Sequence, residues 1–395
     1  MSTRLRTTFQ TKVKQANQLL FCDRTAKQLN SPLAYFQPQP IAGYIGFLGH
    51  QNLGDEVLFD AFKTLFPALQ LLAYDGAVDQ VHNPPFSYYP AELALYRRMI
   101  KPGPFYDLVF LGGGTLINRR QYLSRLSHAL QQQHRCVVFG TGVADPAFWH
   151  EQDRSEDFLQ QIKQWIPVLK DVAVVKVRGP HSAQILASYG LPRPEFIGDP
   201  ALSTCRPRAL PHVRMGTIGL NVGSHGTLWG DQERVYQIAT ELVQQLIDRG
   251  WRVELLPFDP GDLKISRSIA QQFKPNLVTL WPHFYQTDLT LRRMQSYDLV
   301  IGQRLHSVVL ACGCGVPFVA LKYAPKCDDF LASVDCQEFS VKTDALDLDQ
   351  LLSLVSQIDR NYDVRCQHLT AVGNRYRTLQ QQTAQAIVEG SLGCE

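Results

Sequence analysis

Arg304, Leu305, His306 and Ser307 follow an apolar run at residues 299–301 and a glycine at 302. That order predicts a buried strand, a tight turn and a helix beginning near Arg304. A helix start already carries unpaired N–H groups and a partial positive charge, so an arginine and an ionisable histidine there are locally unfavourable. A bound anion removes the conflict, because guanidinium, imidazole and free amides then converge on it. The other reading pairs Arg304 with an acidic neighbour such as Asp298 and leaves His306 structural. Two lysines follow the next apolar run, and Lys326, placed in the loop beyond that strand, is preferred over Lys322 as a point charge for a phosphate or carboxylate. Arg178 ends an earlier apolar run and is a candidate second arginine for the same anion.

Glycine-rich turns after apolar runs extend this theme. Gly112, Gly113 and Gly114 precede Thr115 and read as a nest of N–H groups able to hold an oxyanion. Gly140-Thr-Gly repeats the arrangement one strand later. In the segment from Gly46 to Glu56, the glycine spacing does not make GxGxxG, so a dinucleotide loop is not supported. Asn52, Asp55 and Glu56 either cap the following helix or, for Asn52 and Asp55, bond the hydroxyls of a polyol; the residue types admit both. Asp199, before a proline, reads by default as a turn residue, the alternative being that it faces the cleft. The aromatic stretch from Phe86 to Tyr89 and the loop from His50 to Asn52 are candidates for sugar contact.

These residues need elements to position them. Short β-branched runs at 44–48, 71–74, 108–111, 136–139, 172–177 and 196–197 alternate with helical patterns at 56–66, 121–133, 157–169 and 180–189. Such alternation predicts a parallel sheet covered by helices. Residues 204–214 break it with two prolines and no apolar period, which suits a linker. A second series follows, with strands at 217–222, 252–256, 277–280, 299–301 and 318–321, and a helix whose apolar positions run from Val235 to Ile247 at i, i+3, i+4, i+7. The expectation is α/β: two Rossmann-like doubly wound domains, 43–203 and 216–345, joined by a linker at 204–215. A 1–42 extension and a helical segment at 346–395 flank them. Ligands bind at the carboxyl ends of strands in such sheets, so the cleft between the domains is where chemistry belongs.

Composition narrows the partners. A net charge of +3 over 395 residues, with no run of five basic residues, argues against nucleic acid. Nine cysteines without a CxxC pair offer no zinc or disulfide framework and suit a reducing compartment. The N-terminus is basic without an apolar core, and the 307–321 stretch is too short and too broken to span a bilayer. A cytoplasmic protein is expected, with peripheral membrane contact left open, and with no metal site and no resident cofactor.

Taken together, NLGDE at 52–56, GGGTL at 112–116, VRGPHS at 177–182, GDPAL at 198–202, and RLHS at 304–307 with the downstream Lys322-Tyr-Ala-Pro-Lys326 resemble the polysaccharide pyruvyl transferase family. That family is similar in architecture to two-domain GT-B glycosyltransferases. The resemblance implies transfer of pyruvate from phosphoenolpyruvate (PEP) to two hydroxyls of a sugar as a cyclic ketal, with release of phosphate. It implies Arg178, Arg304, Leu305, Lys326, Gly113 and Gly114 as the PEP site. His306 would move a proton from a pKa near neutrality, and Asp55 would stabilise developing positive charge. Asn52, Glu56 and His50 are the acceptor-side candidates, the acceptor being a glycan carried on a lipid or a nucleotide. The rival enzyme class is a GT-B glycosyltransferase using a nucleotide sugar. Those enzymes commonly present a glutamate to the ribose, whereas here the acids after Arg304 are Asp328, Asp329 and Asp335, with no glutamate before Glu338. A non-catalytic carbohydrate-binding relative is the third reading.

Overall fold

Apolar runs of four or five residues become strands buried on both faces, the pattern of sheets with helices on each side. The computed structural model describes residues 40–74, 106–153, 155–210, 212–224 and 229–392. Most of the expected N-terminal extension and the aromatic stretch from Phe86 lie outside the described residues.

The first half runs β1 (Ile41–Ile45), α1 (Leu53–Leu65), β2 (Gln70–Ala73), β3 (Leu108–Leu111), β4 (Thr115–Ile117), α2 (Arg120–Gln131), β5 (Cys136–Val143), α3 (Pro146–Gln152), α4 (Phe158–Lys170), β6 (Val174–Val177), α5 (Pro180–Ser188) and β7 (Glu195–Phe196). A 3-10 turn, Pro200–Ser203, closes it. Its strands are all parallel, in the order β2-β1-β3-β5-β6-β7, with β4 paired to the far end of β5. The second half contains β8 (Thr217–Asn221), α6 (Gln232–Asp248), β9 (Arg252–Leu255), α7 (Pro260–Ala270), β10 (Val278–Leu280), α8 (Thr287–Met294), β11 (Leu299–Gly302), α9 (Leu305–Gly313), β12 (Phe318–Lys322), α10 (Pro325–Ser333) and β13 (Ser340–Lys342), then α11 (Leu348–Arg360) and α12 (Tyr362–Leu392). Its parallel order, β10-β9-β8-β11-β12-β13, is doubly wound about β8. The crossing order reverses between β1 and β3 and between β8 and β11, and at those points the strand ends open a crevice.

The halves meet through apolar side chains. Leu53, Val57 and Leu58 of α1 and Leu202 of the 3-10 turn join one buried cluster with Leu305, Val308, Val309 and Cys312 of α9. The Leu53 N–H also donates to the Phe258 carbonyl at 2.9 Å. The connecting segment is held in place as well: Arg208 is buried and donates to the Tyr297 carbonyl and the Tyr362 hydroxyl, both at 2.6 Å. Helix α12 returns to the first half, where Gln380 Nε2 donates to the carbonyls of Ile197 at 3.0 Å and Asp199 at 2.9 Å. The described residues from Ile41 onward accordingly form one compact unit.

Several local expectations change. Gly140-Thr-Gly is not a loop: β5 continues through it to Val143, with a register shift between Phe139 and Thr141. Gly140 takes φ +70° there, and Pro200 occupies the space a Cβ would need, so only glycine fits this bulge. The helix α10 is also unanticipated, which moves Lys326 from a loop to the first turn of a helix begun by Pro325.

Candidate active site

Loops at the carboxyl ends of both sheets enclose a cavity of about 440 Å³. The first half supplies Asn52, Asp55, Gly114, Arg119, Tyr122, Trp149 and Arg178; the second supplies Ser224, Phe258, Arg304, Leu305, His306 and Lys326. Residues more than 250 positions apart therefore face one space.

Three helices begin at this cavity without a side-chain cap: α2 after Arg119, α9 after Arg304 and α10 after Ala324. By contrast α1, α3, α6 and α7 are capped by Asn52, Asp145, Asp231 and Asp259. At the starts of α9 and α10 the Ser307 and Cys327 N–H groups turn back to the Arg304 and Ala324 carbonyls, both at 3.0 Å, and Pro325 has no N–H. That leaves the amides of Leu305, His306 and Lys326 at the positive end of the helix dipoles. Leu305 and Lys326 sit in those first turns, so both contribute backbone as well as side chain.

Arg178 is fully buried, yet its contacts are long: Nη1 to the Gly114 carbonyl at 3.4 Å and to Thr115 Oγ1 at 3.3 Å, Nη2 to Asp329 at 3.5 Å. Its Nε is buried with no partner among the described residues. Asp329 is itself engaged by the N–H groups of His181 and Ser182 and by the Ser182 hydroxyl, so it compensates Arg178 only weakly. Lys326 makes no hydrogen bond or ion pair with the described residues and lies over the Tyr323 ring, 4.7 Å from its centroid. Burial pushes its pKa down to about 8, and Arg178 and Arg304 push the same way. Lys322, the other candidate, is paired with Asp328 at 2.7 Å and does not line the cavity.

Arg304 behaves differently from expectation. Its Nε and Nη2 bind Asp262, and Nη2 also meets Asp259 and Ser224. The guanidinium is thus neutralised by two carboxylates, neither of them Asp298. Asp298 instead accepts the N–H groups of Met215 and Thr217 at 3.0 Å and faces His212. Arg304 still lines the cavity, with Nη1 making no hydrogen bond among the described residues.

The protonation states are the reverse of what the residue types suggest. His306 is not poised near neutrality: burial, then the charges of Arg178, Lys326 and Arg304, push its pKa down to about 3. Asp55 moves up to about 7, chiefly because burial opposes its charge, with Lys326 pulling the other way. The cavity at neutral pH therefore holds a neutral imidazole and a carboxyl group near half-protonation.

Other candidates fall outside the cavity. Glu56 is buried, and its Oε1 accepts the Gly49 N–H at 3.2 Å, so it braces the loop before α1 and does not line the cavity. His50 stacks on Phe47 at 4.0 Å and lines an adjoining hollow of about 140 Å³ with Tyr122 and Arg125. Gly113 packs against Leu58, where a Cβ would collide, and the Gly112 N–H is taken by the Ile45 carbonyl. The three glycines thus admit close packing, not a full nest; Gly114 alone reaches the cavity. Asn52 does both jobs, capping α1 through the Gly54 N–H at 3.1 Å and lining the cavity. The residues not anticipated are Arg119, stacked 3.6 Å from the Trp149 ring centroid, and Asp259 and Asp262. Asp259-Pro-Gly-Asp262 carried a visible signal, a cap and first-turn acid opening a helix. Among the described residues no group of His, Cys, Asp and Glu could hold a metal, and no helix is long and apolar enough to cross a membrane.

The sequence matches the family Polysaccharide pyruvyl transferase over residues 52–325. No curated protein matches it significantly. Among solved structures, it is similar to a Listeria monocytogenes protein described as a UDP-N-acetylglucosamine 2-epimerase (TM-score 0.56, 12% identity, 90% of this chain and 97% of that one). It is also similar to the S. aureus MnaA–UDP complex (TM-score 0.56, 12% identity, 89% and 96%). A third is the Neisseria meningitidis UDP-GlcNAc 2-epimerase bound to UDP-GlcNAc (TM-score 0.54, 11% identity, 89% and 100%). At these identities the likeness establishes the fold, two Rossmann-like halves in the GT-B manner with a cleft between them.

Proposed function

The chain belongs to the polysaccharide pyruvyl transferase family, and from that premise we propose that it transfers pyruvate from PEP to two hydroxyls of a glycan as a ketal, releasing phosphate. The observation that carries this reading is the undercompensated cation pair, Arg178 and Lys326, buried beside two uncapped helix starts. PEP brings a phosphate and a carboxylate, and each finds a counter-charge and free amides there. Arg304, balanced by Asp259 and Asp262, contributes Nη1 and the shape of the α9 start more than net charge.

The swapped protonation states suit the chemistry. Neutral His306 takes the proton of the first hydroxyl as its oxygen bonds to C2 of PEP, while protonated Asp55 gives its proton to C3, which becomes the methyl group. The C2–O–phosphate bond then breaks, and the phosphate leaves with the proton held on His306. Ionised Asp55 faces the oxocarbenium-like carbon at that moment and stabilises it. The second hydroxyl closes the ketal and returns its proton to Asp55. Two hydroxyl protons enter; one proton ends on C3 and one on phosphate, so the cycle balances with no cofactor.

Asn52 and Asp55 at the start of α1, with Tyr122 and Trp149 across the cavity, form the acceptor side in this reading. Arg119 and Arg125 add positive charge near it, which fits a glycan carried on a phosphorylated lipid or nucleotide at the cytoplasmic face of a membrane. Incubation with PEP and a panel of such acceptors should release phosphate only when both are present. Nucleotide-sugar turnover with no PEP-dependent phosphate release would replace this reading with a glycosyltransferase.

A further inference from the structure

Two buried polar atoms at the back of the cavity have no hydrogen-bond partner among the described residues, and they face each other. They are Nε2 of His306 and Oδ2 of Asp199, 3.8 Å apart. The Asp199 carboxyl is fully buried and its other oxygen caps the 3-10 turn through the Ala201 N–H at 3.0 Å. Its backbone is held from behind. Gly198 takes φ +78° against the Tyr376 ring, and Gln380 of α12 binds the carbonyls on both sides of that glycine. His306 is confined on its other edge, where a Cβ on Gly54 would run into Nδ1 and the ring. Only a residue without a side chain lets the imidazole stand there, against the start of α1 and between Asn52 and Asp55.

We propose that Asp199 is the positioning residue of this site: its Oδ2 accepts the Nε2–H of His306, leaving the Nδ1 lone pair on the Gly54 side toward the acceptor hydroxyl. The gap closes by about 1 Å to reach hydrogen-bond distance, a tightening common when a catalytic site fills. When His306 takes the hydroxyl proton on Nδ1, the Asp199 carboxylate stabilises the imidazolium; no proton needs to pass to Asp199. This inference rests on the pyruvyl-transfer reading for its kinetics, not for its geometry.

The charged groups facing the pair are Arg178 at the end of β6, Lys326 and Asp329 of α10, Asp55 of α1 and Arg304 before α9. Burial raises Asp199 to about 6 despite Arg178, so its carboxylate is lost as pH falls through that value. The test is Asp199→Asn, which keeps shape but presents an N–H to Nε2 and enforces the wrong tautomer. We expect kcat to fall by ~10³–10⁴, KM for PEP to change little and the acid limb of the kcat profile to vanish. A kcat within twofold of wild type, or an unchanged acid limb, overturns the assignment.

Because a buried substitution can impair folding, the wild-type protein supplies a second arm. Its imidazole ¹⁵N spectrum, with the His306 signals identified by their loss in His306→Gln, should report the Nε2–H tautomer. The Nδ1–H tautomer overturns the proposal. Wild type inactive toward PEP defeats the transfer reading alone, and the tautomer then decides Asp199 by itself.

Discussion

Burial raises Asp55 to about 7 against the pull of Lys326 and Arg304, and burial together with those cations lowers His306 to about 3. In the proposed reaction Asp55 is therefore the acid and His306 the base. Activity then needs Asp55 protonated, so kcat/KM should fall as pH rises through about 7, while ionised Asp199 places the acid limb near 6. A profile limited instead by a group with a pKa above 9 would exclude Asp55 as the acid. The raised Asp55 also destabilises the fold once ionised: the folded state holds its proton more tightly than the unfolded chain, so this contribution worsens as pH rises from about 4 to 7. Asp55→Asn should therefore raise Tm by a few degrees at pH 8 and by less at pH 5, while abolishing turnover. Equal Tm changes at both pH values would contradict the burial of that charge. The arginines divide in the same spirit. Arg178→Ala should weaken PEP binding about a hundredfold, through lost charge-assisted bonds. Arg304→Ala should chiefly lower Tm, because Asp259 and Asp262 are left facing each other without their cation. Calorimetric titration with PEP, alongside melting curves, separates the two.

Among the elements, the segments that carry chemistry were legible where strand, glycine and helix follow one another in the chain. Leu299–Gly302 running into Arg304 and His306 is such a case, and so are Arg178 after β6 and Asn52 before α1. What stayed hidden depends on strand order. The carboxylates on Arg304 lie 42 and 45 residues upstream, and they meet it only because β9 and β11 both flank β8. Asp199 likewise reads as a turn residue until α12 and α9 are brought to it. The helix α10 was missed because its apolar pattern is short, although Pro325 is a proper first-turn signal. The close approach of α1 and α9 yields its own prediction. Gly54→Ala should displace the His306 ring, lowering kcat by at least tenfold with KM for PEP changed far less; steady-state kinetics that show the reverse split would place His306 in ground-state binding.

At the scale of the molecule, the two halves are joined by an apolar contact, a pinned connection and the returning helix α12, so the cleft is largely pre-formed. A pre-formed cavity with excess buried cation is stabilised by its ligand: PEP at a hundred times its Kd should add about 2.7 kcal/mol, visible as a rise in Tm that Arg178→Ala removes. The GT-B-like arrangement is shared with proteins whose structures hold UDP or UDP-GlcNAc, so architecture alone does not select the donor. The most direct measurement is mass spectrometry of a glycan acceptor after reaction with PEP in deuterium oxide. Transfer to two hydroxyls with protonation at C3 predicts a pyruvyl ketal whose methyl group carries one solvent-derived deuterium. An unmodified acceptor, or one bearing an enolpyruvyl ether with its CH₂ intact, would contradict the account.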